Sequence, residues 1–393
     1  MMQPSKRSEV APFYVMEVMR AAEQRELNGL DVLHLEVGQP STGAPDGAIK
    51  AVEGALRTDK RGYTGAAGTP KLRHRIAQWY QDVNGTDIST DRIVVTTGAS
   101  GSCVLAFLAA FDHGDRVGVL EPGYPCYRND LQAFGADVVP ITVGHHNSFR
   151  PTVDQLDAAL PLAGLVVASP SNPTGTVLPP NELEAVVEWA SGNGVRLIVD
   201  EIYHGVTYDV ECPTALTYGS EMIVFNSFSK YFSMTGWRLG WVVAPVAMAQ
   251  AIERLSQSLT IAAPTVSQVA GEAAFDCTDE LDANVGRYRR NRNVVVDGLA
   301  AAGIDRIAPP DGAFYVWADV SHLLTPAGAS SQDLCRVWLD ELGVATTPGI
   351  DFDRRNGHRF VRFSYAGSTD DVAEALSRIQ SWVQRTTVDV GHE

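Results

Sequence analysis

The stretch 165–201, LVVASPSNPTGTVLPPNELEAVVEWASGNGVRLIVDE, decides the fold. It opens on a short apolar run, Leu165–Ala168, and closes on another, Arg196–Val199. Neither run alternates apolar with polar residues, which is the pattern of strands covered on both faces. Between them, Pro180–Ser191 carries apolar residues at helical spacing, with proline at the first turn. Strand, helix and strand in that order predict a parallel pair joined by a crossover helix.

The same pattern extends both ways. Apolar runs at Ile93–Thr96, Arg116–Leu120, Asp137–Ile141, Ile223–Asn226 and Leu239–Val243 are separated in several places by helix-length segments such as Ser102–Phe111 and Tyr127–Phe134. An α/β fold with a mainly parallel central sheet sandwiched by helices follows. Outside this block the pattern changes. A helix is expected over residues 9–28, a strand over Val32–Val37 and helices at Ala48–Leu56 and from Thr69. Beyond it come a long helix, Glu280–Ala301, strands at Phe314–Trp317 and Phe360–Phe363, and helices at Ser331–Leu342 and Asp370–Val383, with a frayed tail from Thr386. This predicts a smaller α+β domain built from both termini: residues 1–45 and 286–393, with the large domain at 46–285.

The chain has 393 residues, more than one core usually serves. Its net charge of −16 argues against nucleic acid and anionic membranes as partners. Five widely spaced cysteines with no C-x-x-C pair argue against a disulfide framework or a zinc site. The histidines show no metal spacing, and His145-His146 reads as a solvated loop. No signal core follows the N-terminus and no apolar stretch is long enough to span a membrane, so a cytoplasmic protein is expected.

In parallel sheets, ligands bind beyond the carboxyl ends of the strands. Three predicted strands end in chemistry-bearing residues. Leu165–Ala168 leads to Asn172, Arg196–Val199 to Asp200 and Tyr203, and Ile223–Asn226 to Ser227 and Lys230, with Arg238 eight residues on. A lysine following a buried strand is unusual, since lysines are normally surface residues. Removed from water there, its amine has a lowered pKa and can attack a carbonyl. Arg362 within the apolar run Phe360–Phe363 needs a partner of opposite charge or a structural pairing.

The strings Ser-Asn-Pro-Thr-Gly at 171–175, Asp-Glu-Ile-Tyr at 200–203 and Ser-Phe-Ser-Lys-Tyr-Phe-Ser-Met-Thr-Gly-Trp-Arg-Leu-Gly at 227–240 resemble the class I/II, fold-type-I, aspartate-aminotransferase-like family that depends on pyridoxal 5′-phosphate. Weaker matches around Gly38, Tyr63, Gly98, Tyr124, Gly312–Tyr315 and Arg362 occur in family order across nearly the whole chain. The resemblance implies an aminotransferase. It would move an amino group from an α-amino acid to a 2-oxo acid by a ping-pong mechanism through an imine at Lys230. Asp200 would sit against the cofactor's pyridine nitrogen, and Tyr203 and Asn172 against its phenolic oxygen. Tyr124 would stack on the ring. Arg238, Ser227, Ala99 and Ser100 would hold the phosphate, with Ser229 a less secure contact and Tyr63 reaching across from a second subunit of a homodimer. Arg362, Gly38 and Asn172 would bind the substrate. Pro170 or Pro173 is expected to be cis, as the family often has it.

Two other outcomes resemble family members as well. A β-lyase would keep the site and eliminate a β-substituent. A pyridoxal-phosphate-sensing regulator would need a DNA-binding segment, against which the single helix before the first strand and the acidic charge both argue. Two positions depart from the family or stay unassigned: Asp353, where relatives often carry glycine, and Cys126 beside Tyr124. No second arginine is assignable to a side-chain carboxylate.

Overall fold

A computed structural model describes residues 2–58, 62–324 and 329–389. Its centre is a seven-stranded sheet: β1 (Ile93–Thr96), β2 (Arg116–Glu121), β3 (Asp137–Thr142), β4 (Gly164–Ala168), β5 (Arg196–Asp200), β6 (Ile223–Ser227) and β7 (Gly240–Val243). The spatial order is β1-β7-β6-β5-β4-β2-β3. All pairings are parallel except those of β7, which runs antiparallel to both β1 and β6. The sheet is the mainly parallel one expected, with strand limits within a residue of the apolar runs.

Successive side chains of the inner strands face opposite layers. Leu165, Val167, Leu197 and Val199 pack with Leu72 and Ile76 of helix Pro70–Asn84 and with Leu183 and Val186 of helix Pro180–Gly192. Val166, Ile198 and Phe225 pack on the other side with Phe107 of helix Gly98–Ala110 and Leu131 of helix Pro125–Phe134. Each such side chain contributes about 1.5–3 kcal/mol by leaving water. Helix Pro70–Asn84 begins as its sequence dictates: the Thr69 hydroxyl accepts from the Leu72 amide, and Pro70 needs no amide partner.

The smaller sheet is antiparallel, in the order β9-β10-β8, from β8 (Tyr315–Asp319), β9 (Thr347–Pro348) and β10 (Phe360–Ser364). Helices Thr278–Ala301 and Thr369–Asp389 cover it through Val295, Leu299, Leu376 and Ile379. The long helix bridges the two cores. Its Leu281 packs in the large core, while Tyr288, Val295 and Leu299 pack in the small one. Ala48 belongs to the first core and Leu35 to the second.

Four local expectations change. The N-terminal helix runs only over Tyr14–Leu27, because Pro12 disfavours a helical residue before it. Its first amides, of Tyr14 and Val15, donate to the Asp351 carboxylate, a cap 336 residues or more away in sequence. The strand expected over Val32–Val37 is two residues long, Leu33–His34, paired with Val344–Ala345. The Ser331–Leu342 helix stops as an α-helix at Val337 and continues as a π turn. The last helix reaches Asp389 rather than fraying at Thr386, and residues 390–393 lie outside those described.

Candidate active site

The ends of β4, β5 and β6 converge on one cavity of about 250 Å³. The register sets Ala168 beside Asp200 and Asp200 beside Phe225, so the residues that follow these strands leave the sheet side by side. Asn172 stands in the turn after β4, where both Ser169-Pro170 and Asn172-Pro173 are cis. The cavity is lined by Gly38, Ala99, Ser100, Tyr124, Asn172, Asp200, Tyr203, Lys230, Arg238 and Arg362. With Ser229, which also lines it, eleven of the thirteen residues given a site role from the sequence meet here.

Lys230 is one of only five lysines, with Lys6, Lys50, Lys60 and Lys71. Its Nζ donates to the carbonyl of Gly38 at 2.6 Å. Among the described residues no carboxylate lies within ion-pair distance of it. Burial lowers its pKa to about 8, aided by Arg362 and Arg238 and opposed by Asp200. A substantial share of this amine is thus neutral near pH 7.5, when an exposed lysine is almost wholly protonated.

Asp200 is buried at the end of β5. Burial raises its carboxyl to about 6, against the hydrogen bonds from Tyr127 and the Ile202 amide and the charge of Lys230. Its Oδ1 accepts from the Ile202 amide at 2.9 Å, and its Oδ2 from the Tyr127 hydroxyl. In the sequence, Tyr127 reads only as the start of a helix, with no part in the site. The signal was available, because it lies three residues after Tyr124 and so on the same helical face.

Arg238 and the start of helix Gly98–Ala110 form a cationic corner. Gly98 has φ +78°, and a Cβ there would stand 2.7 Å from Arg238 Nη2. Only glycine allows both the turn and the close guanidinium. Arg238 itself is left-handed, at φ 51°, and its Nη1 donates to the Thr235 carbonyl. The amides of Ala99 and Ser100 open the helix beside it, with the hydroxyls of Ser229 and Thr235 nearby on the cavity wall. A guanidinium, a helix N-terminus and hydroxyls make a donor set suited to a phosphate dianion. With the amine of Lys230, the acid of Asp200 and the aromatic wall of Tyr124, the residues present fit pyridoxal phosphate.

Two expected residues are not brought into this cavity. The Ser227 hydroxyl is turned inward, accepting from the Ser229 amide and with its single proton shared between the Leu239 carbonyl at 3.1 Å and Ser229 Oγ at 2.9 Å. Tyr63 is 85% exposed and far from any lining role in its own chain.

Arg362 lies at the opposite wall on β10. Its Nη1 donates to Asn172 Oδ1 at 3.0 Å and its Nη2 to the Glu36 carbonyl and to Thr347 Oγ1. Its guanidinium sits between the rings of Tyr315 and Phe352, 4.4 and 4.7 Å from their centroids. Its Nε is buried without a partner. Val15 and Met19 of the N-terminal helix, with Val37 and Ile202, give the cavity an apolar part of its lining. Asp353 is a turn cap, accepting from the amides of Arg355 and Asn356, and Cys126 does not line the cavity. Among the described residues no group of three or more His, Cys, Asp or Glu could hold a metal ion, and no helix is long and apolar enough to cross a membrane.

A doubly covered α/β sheet with a lysine and an acid at its strand ends, an arginine just before β7 and a second arginine on the neighbouring antiparallel sheet defines a class, and the chain belongs to it: residues 30–379 match the family aminotransferase class I and II. The chain is an aminotransferase of fold type I. It is 48% identical over 382 residues to the valine–pyruvate aminotransferase of Mycobacterium tuberculosis, covering 96% of this chain and 97% of that one. A crystal structure of an aminotransferase from Mycobacterium tuberculosis superposes with a TM-score of 0.94 at 47% identity, covering 98% of this chain and all of that one. The aspartate aminotransferase of Thermus thermophilus with maleate superposes with a TM-score of 0.91 at 30% identity, over 97% of this chain and all of that one.

Proposed function

We propose that the enzyme holds pyridoxal 5′-phosphate on Lys230 and transfers the amino group of a small aliphatic amino acid, valine foremost, to pyruvate. The observation that carries this reading is the composition of the cavity. Its three cations have separate tasks: Lys230 for the cofactor, Arg238 for the phosphate and Arg362 for the substrate's α-carboxylate. Among the described residues no further cation lines the cavity for a side-chain carboxylate, and the lining by Val15, Met19, Val37 and Ile202 suits an aliphatic side chain. The relative that acts on valine and pyruvate supports the same donor and acceptor.

The bound cofactor's protonated ring supplies an electron sink for the pair left at the substrate's Cα. The chain's own residues do the rest. Asp200, kept ionised by the Tyr127 hydroxyl, the Ile202 amide and the charge of Lys230, holds the proton on the ring nitrogen. Tyr203 and Asn172 donate to the ring oxygen. Tyr124 covers the ring face, and Arg238, Ala99, Ser100, Ser229 and Thr235 take the phosphate, with Ser227 supporting Ser229. Arg362 clamps the carboxylate, with Gly38 and Asn172 beside it. Lys230, once freed by the incoming amine, would take the proton from the substrate's Cα and deliver it to the cofactor carbon that had carried the lysine; its lowered pKa keeps a neutral fraction available for this. The same groups serve the second half-reaction, so the first oxo acid leaves before the second binds.

The reading includes a cytoplasmic homodimer in which Tyr63 serves the partner's phosphate; its 85% exposure in a single chain agrees with such a task. It also includes a small domain of residues 1–45 and 286–393 closing on a large one of 46–285. The test is a donor screen with pyruvate as acceptor, following alanine formation by the cofactor-loaded protein. Valine and other aliphatic donors are expected to outpace aspartate at least tenfold in kcat/KM, on the scale of a mismatched buried charge. Faster alanine formation from aspartate than from valine would contradict the proposal.

A further inference from the structure

We infer that Tyr315 is a positioning residue for both halves of this site: its hydroxyl fixes the direction in which Tyr203 donates, and its ring fixes the plane of Arg362. The inference rests on the function proposed above. The two hydroxyls are 2.7 Å apart, and both side chains are buried, at 3% and 1% exposure. The rings meet edge to face, at 5.7 Å and 81°. The Tyr315 oxygen is also pressed against the backbone of Gly38, where a Cβ would stand only 1.7 Å from it. It has little room to swing away, and glycine is what lets it approach.

A phenol has one proton to give. If Tyr203 gave its proton to Tyr315, it would have none for the cofactor's ring oxygen. The surroundings favour the other direction. Burial pushes both phenols up, and Tyr203 the further; at Tyr315 the guanidinium of Arg362, 4.4 Å over its ring, offsets part of that rise, which leaves Tyr315 the stronger donor of the pair. Tyr315 therefore donates to Tyr203, which is then left to donate into the cavity, and the two bonds strengthen each other. The same ring contact has a second consequence. With Phe352 on its other face, Tyr315 holds the guanidinium flat while its Nε lacks a protein partner. An arginine so clamped loses less freedom when it grips a carboxylate.

Three variants of the cofactor-loaded protein test this. A donor at the ring oxygen steadies negative charge there, and that charge otherwise holds the proton on the Lys230 nitrogen. Weakening the donor must raise the pH at which that proton leaves. In Tyr315→Phe the absorbance titration midpoint is expected to rise by about half a pH unit, the scale of one hydrogen bond. The rise should vanish in a Tyr203→Phe background, because Tyr315 acts through Tyr203. An unshifted midpoint in Tyr315→Phe, or an equal shift in both backgrounds, overturns the hydroxyl role. Tyr315→Phe keeps the ring, so affinity for a branched-chain carboxylic acid without an amine should stay within twofold of the unmodified protein. Tyr315→Leu should weaken it about tenfold, on the scale of a desolvated cation–π contact. Unaltered affinity in Tyr315→Leu overturns the ring role. A wild-type protein that binds no cofactor at Lys230 fails the underlying proposal instead, and is told apart by its lack of the absorbance being titrated.

Discussion

Arg128 and Arg362 are both nearly inaccessible to solvent, at 6% and 4% exposure, yet they are held in opposite ways. Arg128 pairs with the buried carboxylate of Glu121 at 3.3 Å, and Glu121 is shared with Arg354 at 3.2 Å. Among the described residues Arg362 makes no ion pair: its hydrogen bonds go to neutral oxygens and its faces to two aromatic rings, and the Asp351 carboxylate feels its charge without touching it. A buried cation without a carboxylate is costly unless something supplies one. Arg128 is complete within the protein, whereas Arg362 waits for a ligand's charge. Partner chemistry, rather than burial, separates a structural arginine from a binding one.

Exchanging either residue for an apolar one of similar length should break the comparison in different places. Arg362→Leu should lower kcat/KM by about 10²–10³-fold, since truncating one side of a buried charge pair costs about 2–5 kcal/mol. Its melting temperature should hold or rise, because no carboxylate is orphaned. Arg128→Leu should do the reverse. Leaving Glu121 short of a partner should cost about 3 kcal/mol in urea unfolding, with kcat of the folded fraction within a few-fold. A stability loss in Arg362→Leu equal to that in Arg128→Leu would erase the distinction.

The two titratable groups proposed to serve the cofactor sharpen the same contrast more gently. In the cofactor-free protein the buried Asp200 carboxyl titrates at about 6, above its usual 3.8. The folded state then holds this proton more tightly than the unfolded state. Its contribution is fully present below about pH 4 and is lost as pH rises through about 6. The cofactor-free Asp200→Asn variant should therefore gain on the cofactor-free wild type between pH 4 and 7, by about 1–3 kcal/mol. A constant difference across that range would refute the assignment. The smallest effect concerns Lys230. Trapping of its amine by an aldehyde and borohydride should rise with pH and level off above about 8, and a yield that climbs as steeply from pH 9 to 10 as from 7 to 8 would contradict this.

The parts of the molecule that were legible in the sequence share one physical trait: they depend on local pattern. The strands of the central sheet are covered on both faces, so their composition announces them, and their ends carry Asn172, Asp200 and Lys230 into one place by register alone. The antiparallel direction of β7 was not legible, because a buried strand has the same composition either way. Nor was the shortening of Val32–Val37, whose last residue leaves the ladder to line the cavity with Gly38. Tyr127 and Tyr315 look like ordinary core tyrosines, and their hydroxyl partners are set by tertiary contacts. Ser227 was read as a phosphate ligand and Ser229 as the less secure one. The chain turns Ser227 inward and lines the cavity with Ser229, since residues two apart along a strand end need not share a face once the strand stops.

The account turns on a single nitrogen among the five lysines of the chain. The protein as purified with pyridoxal phosphate, reduced with borohydride, digested and read by peptide mass spectrometry, locates the cofactor directly. The adduct is expected on the peptide carrying Lys230 at close to one per chain, and on no other lysine at more than trace level. An adduct on Lys6, Lys50, Lys60 or Lys71 at comparable yield, or a Lys230 peptide recovered unmodified from active protein, would contradict it.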